Sequence, residues 1–314
     1  MSRLSVIFDT DPGLDDAAAI LALLGASDQV DLLALTTVAG NVGLPLTSRN
    51  ARIVCEWAGR PDVPVYAGCE QPLLRPLVTA EQAHGKTGLD GVPIHEPDMP
   101  LQGRHAVDFI IDTLRAAPAG TITLCPVGPL TNIALALSKA PDIAPRIKEI
   151  VLMGGSYFAG GNISPAAEFN VFVDPEAAAI VLGSGVPLVM LPLDVTHQVR
   201  SSAPRLARLR ALPNRCGPLA ADILANHERH DVQRYGQHGA PMHDPCVVAY
   251  LLQPSLFSGR RVNVEVETAS ALTRGATVVD WWGVSGRAAN ALYLTEADAD
   301  GVFALLADCL AKLP

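Results

Sequence analysis

From residue 5 to residue 193 the chain alternates short, almost wholly apolar runs with longer segments rich in alanine and leucine. Such runs predict parallel strands buried on both faces and joined by crossover helices. The expected fold class is therefore α/β, a mostly parallel open sheet with helices on both faces. The predicted strands are Ser5–Asp9, Leu32–Val38, Val63–Ala67, Thr121–Pro126, Glu149–Met153 and Leu188–Leu193. The predicted helices are Asp16–Leu24, Leu46–Ala58, Ala106–Ala117, Leu130–Lys139 and Pro175–Leu182.

The pattern changes after about residue 200. We predict two further helices, a β-rich extension and a closing helix, in the order Ala203–Leu212, Leu219–Tyr235, Arg260–Thr295 and Ala297–Lys312. Because there is no Ser/Gly-rich linker and no repeat, residues 1–314 are expected to form one domain. The loop Leu73–Gln102 is rich in proline and glycine, and loops of this length often cover binding sites.

Composition excludes several classes of protein. Hydrophobic residues make up 49% and charged residues 18%, values typical of a compact globule and not of a disordered chain. A net charge of −9 argues against nucleic-acid binding, which needs a basic face. Neither a secretory signal nor an unbroken apolar span is evident, and six scattered cysteines contain no CxxC pair. We therefore expect a cytoplasmic protein with reduced thiols and no membrane contact.

Polar residues follow five of the six predicted strands. The segments are "DTDPGLDD", "TTVAGN", "CPVGPLTN", "VLMGG" and "PLDVTH", in which glycine and proline shape turns that also carry Asp, Asn and Thr. In open α/β sheets, ligands bind beyond the carboxyl ends of the strands. The five segments together therefore predict a polar pocket at that edge of the sheet.

The first of these segments crowds four carboxylates, Asp9, Asp11, Asp15 and Asp16, into eight positions. Capping of a helix N-terminus explains one or two of them, because the helix dipole favours negative charge there. It does not explain Asp11, and like charges this close repel unless a cation lies among them. Since the segment contains only oxygen ligands, the expected ion is a hard one such as Ca²⁺ or Mg²⁺.

Two later segments carry further candidates for the pocket. In "APMHDPCVVAY", Asp244 offers another carboxylate and His243 a proton donor, although alone each is more often a cap or a packed side chain. In "GGNISPAAEFNVFVDPEAA", Asn162, Glu168 and Asn170 suit a polyhydroxylated ligand, because each sugar hydroxyl both donates and accepts hydrogen bonds. The alternatives are loop chemistry for Asn162 and surface exposure for Glu168.

These motifs, with "GPLTNIALAL" between them, resemble the inosine–uridine-preferring type of nucleoside hydrolase nearly from end to end. The resemblance implies a Rossmann-like core and hydrolysis of the N-glycosidic bond of ribonucleosides to ribose and a purine or pyrimidine base, as in nucleoside salvage. It also implies a tightly held Ca²⁺ and a homodimer or homotetramer.

The same resemblance assigns roles to individual positions. It implies Ca²⁺ ligands at Asp11, Asp15, Asp16, Asp244 and the carbonyl of Val127, where relatives commonly have Thr. It implies that Asp11 is the general base and that His243 protonates the leaving base. The remaining expected substrate-binding residues are Asn41, Met153, Asn162, Glu168 and Asn170 at the ribose and His84, His230 and Tyr235 at the base.

Two other functions are open on the sequence alone. A haloacid-dehalogenase-like phosphatase also begins with an apolar strand and a DxD motif, which "DTDPG" mimics, but no convincing set of its later residues follows. A non-catalytic protein that binds nucleosides or ribose would need neither Asp11 nor His243. The preferred base is also open, because His230 stands where relatives commonly have Tyr.

Overall fold

The computed structural model describes residues 3–235 and 239–314, apart from the side chains of residues 228–235. Within these residues, nine strands form one sheet. The strands are β1 (Leu4–Thr10), β2 (Val30–Thr37), β3 (Val65–Ala67), β4 (Ile122–Pro126), β5 (Ile147–Met153), β6 (Leu188–Leu191), β7 (Phe257–Val266), β8 (Thr277–Asp280) and β9 (Ala291–Ala297).

Helices follow most of the strands. They are α1 (Leu14–Gly25), α2 (Leu44–Trp57), α3 (Glu81–His84), α4 (Ala106–Ala116), α5 (Thr131–Lys139), α6 (Phe169–Val173), α7 (Pro175–Leu182), α8 (Leu193–Thr196), α9 (Ala203–Arg210), α10 (Cys216–Tyr235), α11 (Asp244–Leu252) and α12 (Ala299–Leu310). Two 3₁₀ helices lie at Pro141–Arg146 and Pro254–Leu256.

The sheet has the order β3-β2-β1-β4-β5-β6-β9-β7-β8. Strands β1 to β6 pair in parallel, as predicted, and β9 continues the parallel set beside β6. Strands β7 and β8 add to it in antiparallel fashion. The β-rich C-terminal region therefore extends the main sheet. On either side of β1 the chain winds in opposite directions, which makes the end of β1 a topological switch point where ligands bind.

The predicted elements exist, and their ends shift for local reasons. Strand β6 stops at Leu191 and not at Leu193, because Pro192 has no N–H to donate and precedes α8. Helix α1 begins two residues before the predicted start, at Leu14, since Asp16 accepts the N–H of Gly13. The short helices α3, α6 and α8 were not predicted, because four or five residues are too few to show a helical period.

Helix α1 is buried along its whole length and packs against α2, α10, α11 and α12. Its apolar and alanine-rich sequence is suited to this position, because a helix that is hydrophobic all round belongs in a core. The packing fixes the first turn of α1, and with it Asp15 and Asp16, directly after β1.

The six cysteines are buried free thiols, as the sequence predicts. None of the helices in the described ranges is both long and apolar enough to cross a bilayer.

Asp9 lies at the end of β1 and is fully buried. One of its oxygens accepts hydrogen bonds from Thr36 Oγ1 at 2.5 Å and Asn132 Nδ2 at 2.8 Å. The other oxygen finds no partner among the described residues. Burial, only partly opposed by these hydrogen bonds, raises the pKa of Asp9 from 3.8 to about 7.

We expect Asp9→Asn to flatten the dependence of stability on pH. Because the folded chain keeps this proton up to about pH 7 and the unfolded chain releases it near pH 3.8, Asp9 makes the wild type less stable as pH rises between these values. A shift of this size corresponds to at most about 4 kcal/mol. Urea unfolding of both proteins at pH 5 and pH 8 measures the difference, and equal losses of stability in the two proteins would refute it.

Candidate active site

A cavity of about 300 Å³ opens beyond the carboxyl ends of the central strands. It is lined by the start of α1, the turn after β2, the helix α3, the segment from Ala159 to Asn170, and residues that precede and begin α11. This is the edge of the sheet where the sequence predicts a polar pocket. Its size is at the lower end of the range for small-molecule sites.

Three carboxylates meet at one end of this cavity. Asp15, Asp16 and Asp244 are all buried, and one oxygen from each lies within 4.8 Å of the others. We call these three residues the acidic cluster. The ion pairs between described residues give none of the three, nor Asp11, a lysine or arginine partner.

Asp16 belongs to this cluster and also caps α1. Its carboxylate accepts hydrogen bonds from Thr10 Oγ1 at 2.6 Å, Gly13 N at 2.9 Å and Asn41 Nδ2 at 2.9 Å. A fourth donor is the backbone N–H of Asp11 at 3.2 Å. The capping explanation is therefore correct for Asp16, and this role coexists with its place in the cluster.

Asp11 lies behind the cluster, 1% exposed, and does not line the cavity. Its Oδ2 accepts the backbone N–H of Asn41 at 2.7 Å. A Cβ atom at Gly40 or Gly128 would come within 2.1 Å or 2.4 Å of an Asp11 carboxyl oxygen. The glycines in "TTVAGN" and "CPVGPLTN" are therefore required so that two backbone turns can close on this carboxylate.

Without a cation, burial and mutual repulsion disfavour the ionised forms of most of these carboxylates. Burial, followed by repulsion from neighbouring carboxylates, raises the pKa of Asp11 and of Asp244 well above 3.8 and that of Asp16 to about 6. For Asp15 burial also acts upward, but three nearby imidazoles outweigh it and lower the pKa. A divalent cation would remove the repulsion and allow all four carboxylates to ionise.

The donor set suits a hard cation. Besides the carboxylates, the carbonyl of Val127 borders the cavity, where it accepts Asn170 Nδ2 at 2.7 Å and keeps a second lone pair. Oxygen ligands of this kind favour Ca²⁺ or Mg²⁺. Imidazole nitrogens from other segments also lie nearby, because nitrogen atoms of His84 and His227 are within 4.8 Å of an Asp15 oxygen.

Four imidazoles extend from Asp15 across the cavity. The ring centroids are 5.5 Å apart for His84 and His227, 6.2 Å for His227 and His243, and 5.7 Å for His243 and His197. We call these four residues the histidine row. His84 Nδ1 accepts the N–H of Leu14 at 3.1 Å, so a neutral His84 carries its proton on Nε2.

His243 is uncharged near neutral pH in the free chain. Burial lowers its pKa from 6.5 to about 3, and the neighbouring imidazoles of the row act in the same direction. Its Nδ1 lies 2.8 Å from Thr196 Oγ1. Acid catalysis by the imidazolium form of His243 therefore requires that the ring gain a second proton once substrate is bound.

Another part of the cavity wall consists of amide and carboxylate side chains. Glu168 is 2% exposed, so the surface explanation for it is wrong. It caps α6 by accepting the N–H groups of Asn170 at 3.0 Å and Val171 at 3.4 Å, and burial raises its pKa to about 7. Asn162 Oδ1 accepts the N–H of Phe169 at 2.9 Å, which fixes its loop against the same wall.

Comparison with known proteins covers almost the whole chain. Residues 6–304 match the family model described as inosine-uridine preferring nucleoside hydrolase. The chain belongs to this family. Nucleoside hydrolases are enzymes that hydrolyse ribonucleosides, so the phosphatase and the non-catalytic alternatives are excluded.

Individual relatives of this nucleoside hydrolase agree with the family match. An uncharacterized protein of Schizosaccharomyces pombe is 52% identical over 312 residues, 99% of this chain and 100% of that protein. The pyrimidine-specific ribonucleoside hydrolase RihA of Shewanella woodyi is 45% identical over 307 residues, 97% of each protein. A solved structure, the purine-preferring ribonucleoside hydrolase from Gardnerella vaginalis, has a TM-score of 0.91 at 30% identity and 98% coverage of both chains.

The nucleoside hydrolase brings most of its sequence-predicted site residues to one cavity. Asp11 and Asp16 lie behind its wall, and the side chains of His230 and Tyr235 lie outside the described residues. The predicted residues that line the cavity are Asp15, Asn41, His84, Val127, Met153, Asn162, Glu168, Asn170, His243 and Asp244.

Three other polar lining residues of the nucleoside hydrolase were not predicted: Gln82, His197 and Arg200. His227, a candidate for the base pocket on the predicted helix Leu219–Tyr235, also lines the cavity. His197 ends the quoted segment "PLDVTH", so its position after β6 was a usable signal. Gln82 lies in the long loop, in the unpredicted helix α3, so this loop forms part of the cavity wall. His227 lies on α10, where the sequence does not show which helix face meets the cavity.

Proposed function

We propose that this chain hydrolyses the N-glycosidic bond of pyrimidine ribonucleosides with the help of a bound Ca²⁺. The observation that carries the proposal is the acidic cluster, three buried carboxylates that converge at one end of a nucleoside-sized cavity and have no lysine or arginine partner among the described residues. The histidine row supplies nitrogen groups beside it, and those of His84 and His227 lie within 4.8 Å of an Asp15 oxygen.

The carboxylates of Asp11, Asp15, Asp16 and Asp244, with the carbonyl of Val127, would hold the ion. Ca²⁺ takes six to eight oxygen ligands in flexible geometry, which leaves positions for water and for sugar hydroxyls. When bound, such an ion orients the hydroxyls and lowers the pKa of a coordinated water.

Asp11 is the proposed general base. Because Asp11 does not line the cavity, the water that attacks C1′ of the ribose would have to lie among the carboxylates, where Asp11, held by the N–H of Asn41, would take its proton. As the C1′–N bond breaks, the sugar develops positive charge, which the surrounding carboxylates stabilise. Asn162, Glu168 and Asn170 supply hydrogen bonds that hold the sugar hydroxyls in place.

The leaving base takes the electron pair of the broken bond. His243 is the proposed proton donor to the leaving base. The pKa of His243 is low in the free chain, but the negative charge that builds up on the base favours transfer of a proton through this ring. His84 and His227, 5.5 Å apart, shape the cavity beside the base. A positioned acid of this kind contributes about 10²- to 10⁴-fold in rate.

Preference for pyrimidines is supported by the names of the more similar relatives. Pyrimidine-specific hydrolases of Shewanella woodyi and Escherichia coli are 45% and 43% identical to this chain, against 30% for the purine-preferring enzyme of Gardnerella vaginalis. The resemblance to the family also supports a homodimer or homotetramer and a cytoplasmic location. A net charge of −9 supports the absence of a nucleic-acid partner.

The substrate proposal is tested with uridine, cytidine, inosine, adenosine and guanosine, assayed for reducing sugar in the presence of Ca²⁺. We expect kcat/KM for uridine or cytidine to exceed that for every purine nucleoside by about tenfold or more, a difference that pocket contacts can supply. Equal or faster cleavage of inosine would refute the pyrimidine preference. Failure to cleave any of the five would refute the proposed function.

A further inference from the structure

A cationic side chain, Arg200, lines the cavity whose floor is acidic. An antiparallel bridge pairs Arg200 with Pro241. Its two hydrogen bonds run from the N–H of Ser201 to the carbonyl of Ala240 at 2.9 Å and from the N–H of Met242 to the carbonyl of Val199 at 2.8 Å. The residues flanking the bridge point into the core: Ser201 is fully buried and Met242 is 2% exposed. Because side chains alternate along extended backbone, Arg200 and Pro241 point the other way, towards the cavity.

The bridge places the backbone of Arg200 beside Pro241. The chain continues from Pro241 through His243 to Asp244, which lies in the acidic cluster. Along the chain, His243 therefore stands between the acidic cluster and the bridge partner of Arg200. If ribose is held at the carboxylates, as in the proposed function on which this inference rests, the base extends past His243 towards Arg200.

A guanidinium at that position favours a hydrogen-bond acceptor. It carries five N–H donors and no acceptor, so it can bind the protein and a ligand at the same time. The far edge of uracil presents the carbonyl oxygen O4, whereas cytosine presents an amino group there. When the C1′–N1 bond of uridine breaks, the electron pair stays on the base and spreads onto O2 and O4, which a cation near O4 stabilises.

We propose that Arg200 is a specificity-determining residue that donates a hydrogen bond to O4 of uracil, so that uridine is the preferred substrate of this site. A donor that meets a substrate acceptor discriminates against an analogue that presents an amino group at the same place, because two donors would then face each other.

The test compares Arg200→Gln and Arg200→Lys with the wild type on uridine, cytidine and the riboside of 2-pyrimidinone, which has no substituent at C4. The exposed Arg208 on α9 provides the control variant Arg208→Ala. We expect the uridine-to-cytidine and uridine-to-2-pyrimidinone ratios of kcat/KM to fall by about 10- to 100-fold in Arg200→Gln and less in Arg200→Lys. Arg208→Ala should keep the wild-type ratios.

Unchanged ratios in Arg200→Gln would overturn the inference, and so would an equal loss on all three substrates, which indicates a structural role only. Thermal unfolding shows whether the Gln variant folds; if it does not, the ratios of Arg200→Lys decide by the same criteria. Failure of the proposed function is distinct, because the wild type itself would then cleave no pyrimidine riboside.

Discussion

Asp11→Ala is expected to abolish nearly all ribonucleoside hydrolysis, lowering kcat by about 10⁴-fold, the upper end of the range for a positioned general base. The upper end is expected because Asp11 would also help to hold the cation that binds the sugar. Its carboxyl oxygens are enclosed between Gly40 and Gly128 and fixed by the N–H of Asn41, so no neighbouring carboxylate can take its place. Steady-state rates on the best pyrimidine nucleoside measure the loss.

The matched variant for this prediction is Asp11→Asn. It keeps the shape that the two glycines enclose, whereas alanine leaves a small cavity and an unpaired N–H on Asn41. We expect Asp11→Asn to lose a similar factor in kcat while its unfolding temperature stays closer to the wild type. Normal rates in either variant would rule out Asp11 as the general base.

Removal of the divalent cation is expected to have the second large effect. Chelation should lower kcat/KM by about 10³-fold or more, because an ion that orients substrate and activates water contributes several kcal/mol to the transition state. Without it, the buried carboxylates of the acidic cluster repel one another and their raised pKa values lead them to take up protons. Added Ca²⁺ should restore the rate of the wild type.

Asp244→Asn provides the control for the metal effect. A ligand that binds only the folded chain stabilises it, so Ca²⁺ should raise the unfolding temperature of the wild type and have a much smaller effect on this variant. Asp244 lies in the first turn of α11 and is 4% exposed, which makes the near-isosteric Asn the appropriate change. Full activity after chelation, with no thermal shift on adding Ca²⁺, would contradict a role for the ion.

The sequence predicts the central part of the fold because its signals are local. Six apolar runs, each bounded by turn residues, were enough to predict β1 to β6 and the polar edge where they end. The joining of β9 to β6 depends on pairing between distant segments, which no local period records. Helices α3, α6 and α8 are too short to show one.

The same distinction between local signals and contacts of distant segments applies to the site residues. The carboxylates of the first segment stand together in the sequence, and the motif around Asp244 could be matched to them by chemistry. The histidine row could not, because its four rings come from separate segments between His84 and His243. The dual role of Asp16, as helix cap and cluster member, also appears only when both partners are placed.

The central claim, a cation held by carboxylates from both ends of the chain, is tested most directly by elemental analysis of the purified, extensively dialysed protein. We expect about one calcium ion per chain in the active wild type, because the carboxylates of the acidic cluster offer the oxygen ligands that Ca²⁺ prefers. We expect far less calcium in Asp244→Asn. Fully active wild-type protein that contains no divalent metal would contradict the account.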